Sequence, residues 1–211
     1  MISRGGLLLA VRVATLCLPL LAGGCQLFGV AAHVYGPPPV KPRYIPQKRP
    51  MVVYVQALPD PSGHDTGQTD ALARAIESQL QANNVAPIVP SLSIAELRSN
   101  RPQQFVQMRP DAIARAVGAQ QLLWVNVLEC SFSPAPGSGV FRGQISLEVR
   151  VLDATDGRQL WPDDSPDGAE VTCQTPMLRA ADHINTASVQ RDLYLAAADQ
   201  VAKLFYRHKP D

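Results

Sequence analysis

The stretch VFRGQISLEVRVL, residues 140–152, decides the fold of the central part of the chain. Between Ile145 and Val151 apolar side chains occupy every second position, and polar or charged side chains occupy the positions between them. This period of two predicts a strand with one buried face and one wet face. The predicted inward set is Phe141, Ile145, Leu147, Val149 and Val151, and the outward set is Arg142, Gln144, Ser146, Glu148 and Arg150.

Further strands are predicted on both sides of this stretch. The segment QLLWVNVLECSF, residues 121–132, begins with apolar residues at successive positions, as in a central strand. After the turn at Asp153–Gly157, residues Arg158–Trp161 predict a hairpin partner, and Ala169–Thr175 predict a last strand. The central region is therefore expected to form a meander of antiparallel strands.

The flanking regions alternate strands with helices. Met51–Leu58 and Val85–Val89 are short and β-branched, which predicts strands. A helical apolar stripe near Thr69–Asn83 and a longer one from Ser188 to about His208 predict helices packed on the sheet. Short helices are expected between them, one of them with a capping box at Ser93 and Glu96. We therefore expect a single α/β domain over residues 51–211, with a mixed, mainly antiparallel sheet of about five or six strands and helices packed on it.

Two motifs in this domain resemble those of a known family. The segment ARAVGA, residues 114–119, precedes a strand, and VRVLDATDGRQLW, residues 149–161, spans a strand and its turn. They are similar to the domain shared by the curli-secretion lipoprotein CsgG, the N-terminal domain of TolB and LpoB, an activator of peptidoglycan synthases. The resemblance implies a fold whose members assemble rings, activate enzymes or bridge complexes, and it supplies no catalytic residues. The short loop Gly137–Gly139 has no room for a membrane-spanning hairpin, which argues against a channel.

The N-terminal residues 1–24 resemble a bacterial export signal. Arg4 and Arg12 supply positive charge, Val13–Leu21 is largely apolar, and small residues lead into Cys25. Such a segment resembles a lipoprotein signal, after which the cysteine is acylated and becomes the mature N-terminus. Cys25 is therefore the predicted lipidation site, and an anchor helix or a cleaved soluble signal are the alternatives. If the residue after the lipidated cysteine governs sorting, Gln26 favours the outer membrane, with the domain facing the periplasm.

Residues 25–50 form the predicted lipidated N-terminus and tether. GPPPVKPRYIPQKRP, residues 36–50, holds six prolines in fifteen residues, which prevents helix and sheet formation and predicts an extended spacer reaching about 45 Å. Its four cations have no acidic neighbour in the segment: Lys41, Arg43, Lys48 and Arg49. They are either a solvated spacer or a surface that attracts anionic headgroups or a polyanionic wall polymer.

Composition gives little support for several function classes. The chain of 211 residues carries 19 basic and 18 acidic residues and few aromatics, so we expect no nucleic-acid partner. We also expect no cofactor, and no metal site at Asp163, Asp164, Asp167 and Glu170, where a solvated turn is favoured over calcium binding.

Two cysteines remain after the signal peptide and the lipidation site. Cys130 and Cys173 are 43 residues apart, and in an oxidising compartment they could form a disulfide worth about 4 kcal/mol. The alternative is a pair of buried thiols.

These patterns favour a non-catalytic function. We expect a lipid-anchored envelope protein that serves as a binding, assembly or adaptor module for another envelope protein or for itself, with membrane lipid held through Cys25. Trp161, next to a proline, is the candidate partner contact. The alternatives are an envelope hydrolase that uses His64 and its acidic loop, and an auxiliary lipoprotein of a transport system that binds lipid or solute.

Overall fold

The computed structural model describes residues 37–57, 65–135, 140–176, 178–179 and 186–210. These residues fall into two units. The larger unit comprises residues 41–207, and in the smaller one Val40 pairs with His208. The larger unit contains the α/β domain.

A single mixed sheet forms the centre of the domain, and its strands follow the order β2-β1-β3-β4-β5. β1 pairs in parallel with β2 and β3, whereas β4 pairs antiparallel with β3 and, along its other edge, with β5, β6 and β7. The seven strands are β1 (Met51–Ala57), β2 (Ile88–Val89), β3 (Gln121–Ala135), β4 (Val140–Asp153), β5 (Gln159–Trp161), β6 (Ala169–Gln174) and β7 (Leu178–Arg179). The mixed α/β sheet was predicted correctly, and the two-residue strand β7 adds to the expected number.

Five helices are described: α1 (Asp65–Ala82), α2 (Leu92–Asn100), α3 (Pro102–Gln107), α4 (Pro110–Ala116) and α5 (Thr186–Lys203). The expected capping box at Ser93 and Glu96 is wrong, because α2 begins after Ser91. The backbone N–H and the hydroxyl of Ser91 donate instead to Glu77 Oε2 on α1, at 3.0 and 2.7 Å. The carboxylate of Glu77, which is distant in sequence, thus accepts the hydrogen bonds of Ser91 at the start of this helix.

The face of the sheet that carries α1 and α5 holds the larger hydrophobic core. Alternate residues of β4 are fully or almost fully buried there, as the period of two predicted. The helices contribute Leu72, Ile76 and Leu80 from α1, and Leu193, Ala197 and Val201 from α5. Both helical stripes therefore pack on the sheet.

The opposite face holds a smaller core under α2, α3 and α4. It contains Val52, Leu122 and Leu152 from the strands and Ile94, Phe105 and Ile113 from the helices. These helices cover only the part of the sheet near the amino end of β1. Further along the strands this face carries half-buried polar side chains, among them Asn126, Glu148 and Ser146.

The strap segment, residues 41–50, is packed on the domain, although the sequence counts it with the tether. The N–H of Arg43 donates to the carbonyl of Leu204 at 2.8 Å, and Gln121 Nε2 donates to the carbonyls of Gln47 and Arg49 at 2.8 and 3.2 Å. Lys48 Nζ donates at 2.6 Å to the carbonyl of Asn84, which follows α1. A free spacer can therefore include only residues that precede this segment.

Candidate functional site

An open groove of about 710 Å³ lies where the three short helices stop covering the sheet. The carboxyl half of β1 forms its floor with Trp124 of β3, and α2, α3 and α4 form its wall. The lining residues are Tyr54, Val55, Gln56, Ala57, Thr69, Arg98, Pro102, Phe105, Val106, Met108, Pro110, Ile113 and Trp124. Apolar side chains with a few polar groups are typical of binding sites of this size.

Aromatic rings from three separate elements define the groove. Tyr54 and Trp124 stand side by side because β1 and β3 pair in parallel register. Phe105 meets the Tyr54 ring edge-to-face, with centroids 6.3 Å apart. On the rim, Val106 is 84% exposed, which is unusual for a large apolar side chain. The result is an apolar surface with rigid walls.

Carboxylates pair with Arg98, which lines the groove, and with Arg150, which lies over the ring of Trp124. Arg98 donates to both oxygens of Asp70 at 3.0 and 2.7 Å, and its guanidinium lies over the Phe105 ring. Arg150 lies 4.8 Å from the centre of the Trp124 ring and donates to Glu148 at 2.8 Å. The groove therefore presents little net charge to a ligand.

Polar groups at the floor are few and are able to form hydrogen bonds. Trp124 Nε1 donates to Gln56 Oε1 at 3.3 Å. Burial raises the pKa of the Tyr54 hydroxyl further above neutral pH, so Tyr54 offers a neutral hydrogen-bonding group. Within the described residues, no three His, Cys, Asp or Glu side chains are placed to hold a metal ion.

Trp161 does not line this groove, and its possible role as a partner contact stays a prediction. Its side chain is 8% exposed. The ring stacks on Tyr44 at a centroid distance of 6.1 Å and meets Phe205 edge-to-face at 5.6 Å. This aromatic cluster joins the strap segment to the sheet.

The possible disulfide between Cys130 and Cys173 is not formed. Both residues stand opposite Ile145, one on each side of β4. Two strand spacings of about 4.8 Å therefore separate their backbones, whereas a disulfide requires Cα atoms within about 7 Å. Cys130 is exposed, and Cys173 is buried.

The other candidate positions either fall elsewhere or are not described. Cys25 and His64 lie outside the described residues. At the acidic turn, the backbone carbonyl of Asp167 accepts a hydrogen bond from Arg150 Nε at 2.8 Å, and Asp164 lines a separate cavity with Arg43.

The groove itself was missed in the sequence. Tyr54, Phe105 and Trp124 lie on three elements far apart in sequence, and only the pairing of β1 with β3 brings two of them together. Phe105 is buried and the neighbouring Val106 is exposed on the same helix of six residues. A helix this short carries too few residues for a periodic pattern to predict which of the two is buried.

Comparison with known proteins adds fold-level likenesses only. No family model and no curated protein matches the chain. Among solved structures, lipoprotein GNA1162 from Neisseria meningitidis is 14% identical over 73% of this chain and 98% of its own, with a TM-score of 0.45. PelC from Paraburkholderia phytofirmans, a dodecamer, is 14% identical over 81% and 97%, with a TM-score of 0.41. Protein CT253 from Chlamydia trachomatis is 12% identical over 74% and 96%, with a TM-score of 0.42.

Likeness at these levels carries no function to this chain, and the resemblance to CsgG, TolB and LpoB stays a prediction. Among the described helices, none is both long and apolar enough to cross a membrane.

Proposed function

We propose that the chain is a non-catalytic, lipid-anchored envelope protein whose groove binds an extended, uncharged segment of another envelope protein. Lipid on Cys25 would hold it at the outer membrane with the domain in the periplasm. The observation that carries the binding role is the groove: three aromatic rings around an apolar floor, with a rim residue that is 84% exposed.

The chemistry of the groove supports an apolar, extended partner. Arg98, the basic residue of its lining, already holds a carboxylate, and so does Arg150 over Trp124, so a polyanion would find no unpaired cation among the lining residues. Aromatic-lined grooves accept proline-rich extended segments, because such segments are already held in the polyproline II conformation and lose little conformational entropy on binding. Tethering to a membrane raises the effective concentration of the two proteins, so a modest interface is sufficient.

Crosslinking in intact cells tests the binding role. A photoreactive amino acid at Val106 should give one discrete product with an envelope protein, and Trp124→Ala should abolish that product without lowering the amount of folded protein. The matched control is the same photoreactive residue at Leu195, which is 50% exposed on α5 and does not line the groove. Identical products from both positions, or a product at Val106 that survives Trp124→Ala, would refute the proposal.

The anchor has its own test. Cys25→Ala should move the protein from the membrane fraction to the soluble periplasmic fraction, because several acyl chains supply the attachment. Unchanged membrane partition would exclude lipidation as the attachment and favour an anchor helix.

A second function, binding of a lipid or apolar solute as part of a transport system, is favoured by the volume of the groove. At about 710 Å³ it falls within the range of small-molecule sites, about 300–1,000 Å³. Native mass spectrometry of the protein extracted from membranes decides between the two: a stoichiometric small molecule that is lost in Trp124→Ala would favour the solute over the protein segment.

A further inference from the structure

A group of exposed cations lies where the larger unit begins and ends. Lys41 and Arg43 open it, and Arg207 closes it. The two chain segments run beside each other, since the N–H groups of Arg43 and Tyr44 both donate to the carbonyl of Leu204 at 2.8 and 3.1 Å. The fold thus gathers cations that are far apart in sequence.

Among the described residues, these three cations have no carboxylate within ion-pair distance. By contrast, Arg49 is paired with Asp153 at 3.3 Å, and Lys203 with Asp199 at 2.8 Å. Asp164 of the acidic turn lines a cavity with Arg43 without pairing with it. The positive charge here is therefore available to an external anion.

We propose that Lys41, Arg43 and Arg207 form a surface that rests on anionic lipid headgroups. This inference uses the lipid anchor of the proposed function. Only fourteen residues lie between Cys25 and Val40, and no acidic residue lies between Met1 and Pro59, so the tether delivers this end of the domain to the bilayer. Each cation close to an anionic leaflet adds roughly a fivefold preference for it.

Amine labelling of the lipidated protein in vesicles tests this surface. The full chain, purified from membranes, is reconstituted in vesicles of phosphatidylcholine alone or with added phosphatidylglycerol, and acetylation of each lysine is followed by mass spectrometry. Lys41 should react roughly fivefold more slowly on the anionic vesicles. High salt should restore its rate, because it screens exposed charges.

Two lysines in the same protein serve as internal controls. Lys48 donates to backbone carbonyls, and Lys203 is paired with Asp199, so their rates should not depend on the lipid. Charge reversal at both arginines, Arg43→Glu with Arg207→Glu, should abolish the protection of Lys41. Reversal at two exposed arginines elsewhere, Arg101→Glu with Arg191→Glu, should leave it unchanged.

The outcomes separate the surface from the anchor. A protein that stays on the vesicles while Lys41 reacts equally fast on both lipid compositions would overturn the headgroup surface and leave the anchor intact. A protein that does not stay on either kind of vesicle would instead refute the lipid anchor.

Discussion

Replacing Trp161 by alanine tests the aromatic cluster that joins the strap segment to the domain. The side chain is 8% exposed, and its ring lies 6.1 Å from Tyr44 and 5.6 Å from Phe205 between centroids. Removing a buried tryptophan costs about 3–5 kcal/mol in free energy of unfolding. Each of the two ring contacts accounts for roughly 0.5–1.5 kcal/mol of that beyond buried area. Since a domain is stable by only about 5–15 kcal/mol, this single change should remove a large share of its stability.

Denaturant unfolding of the protein extracted from membranes in mild detergent measures this loss. The chain has two tryptophans, so fluorescence of Trp124 reports unfolding in Trp161→Ala. A double-mutant cycle with Tyr44→Ala should give a coupling free energy of about 0.5–1.5 kcal/mol. A loss below about 1 kcal/mol for Trp161→Ala, or no coupling to Tyr44, would show that the ring is not buried against the strap segment, and would refute the reasoning.

Three further changes probe the rest of the domain. At neutral pH, alkylation should modify exposed Cys130 and spare Cys173, whose thiol pKa is raised by burial and by Asp199. Mass spectrometry that finds a disulfide between Cys130 and Cys173 would contradict their separation by β4. Asp153→Asn should lower stability at pH 7, since a hydrogen bond from a backbone N–H holds the pKa of Asp153 below its ordinary value. This contribution to the free energy of unfolding is complete above pH of about 4 and disappears as pH falls through the lowered pKa. Urea unfolding of the two proteins should therefore give converging stabilities in acid, and a difference that stays constant with pH would exclude the effect. Gly168→Ala should destabilise the domain by about 1 kcal/mol or more, because φ is +110° and a Cβ would lie 2.9 Å from a side chain and 3.1 Å from a carbonyl oxygen of β4. Gly67→Ala on α1 should instead stabilise it, because a Cβ there meets nothing within 4 Å. Equal shifts of the melting temperature in the two variants would refute this contrast.

The sequence predicts most of the sheet, because burial and strand periodicity are local signals. Ile145, Leu147, Val149 and Val151 alternate in the chain and are all buried in the structure. A strand of this length can place that set on one face only, so the pattern determines which face receives α1 and α5. This inference needs no information from residues distant in sequence.

Predictions of contacts between two residues fail where the contact depends on the order of the strands in the sheet. Cys130 and Cys173 lie on strands that the sequence identifies, but their separation depends on β4 lying between those strands. The same reason explains Trp161, which looks like an edge residue next to Pro162 until Tyr44 of the strap segment covers it. In each case a segment distant in sequence determines the environment of the residue in question.

The path of the strap segment also bears on how the groove is presented. The carbonyl of Pro50 accepts the N–H of Gln121, so the strap segment joins the sheet at the amino ends of β1 and β3. The groove residues Tyr54–Ala57 lie in the carboxyl half of β1, and a strand of seven residues spans about 20 Å. A lipid anchor that holds the strap end at the bilayer therefore leaves the groove directed away from it, where a periplasmic segment can enter. Under the two proposals, the sequence of the tether and the direction of β1 together determine which side of the domain meets the partner.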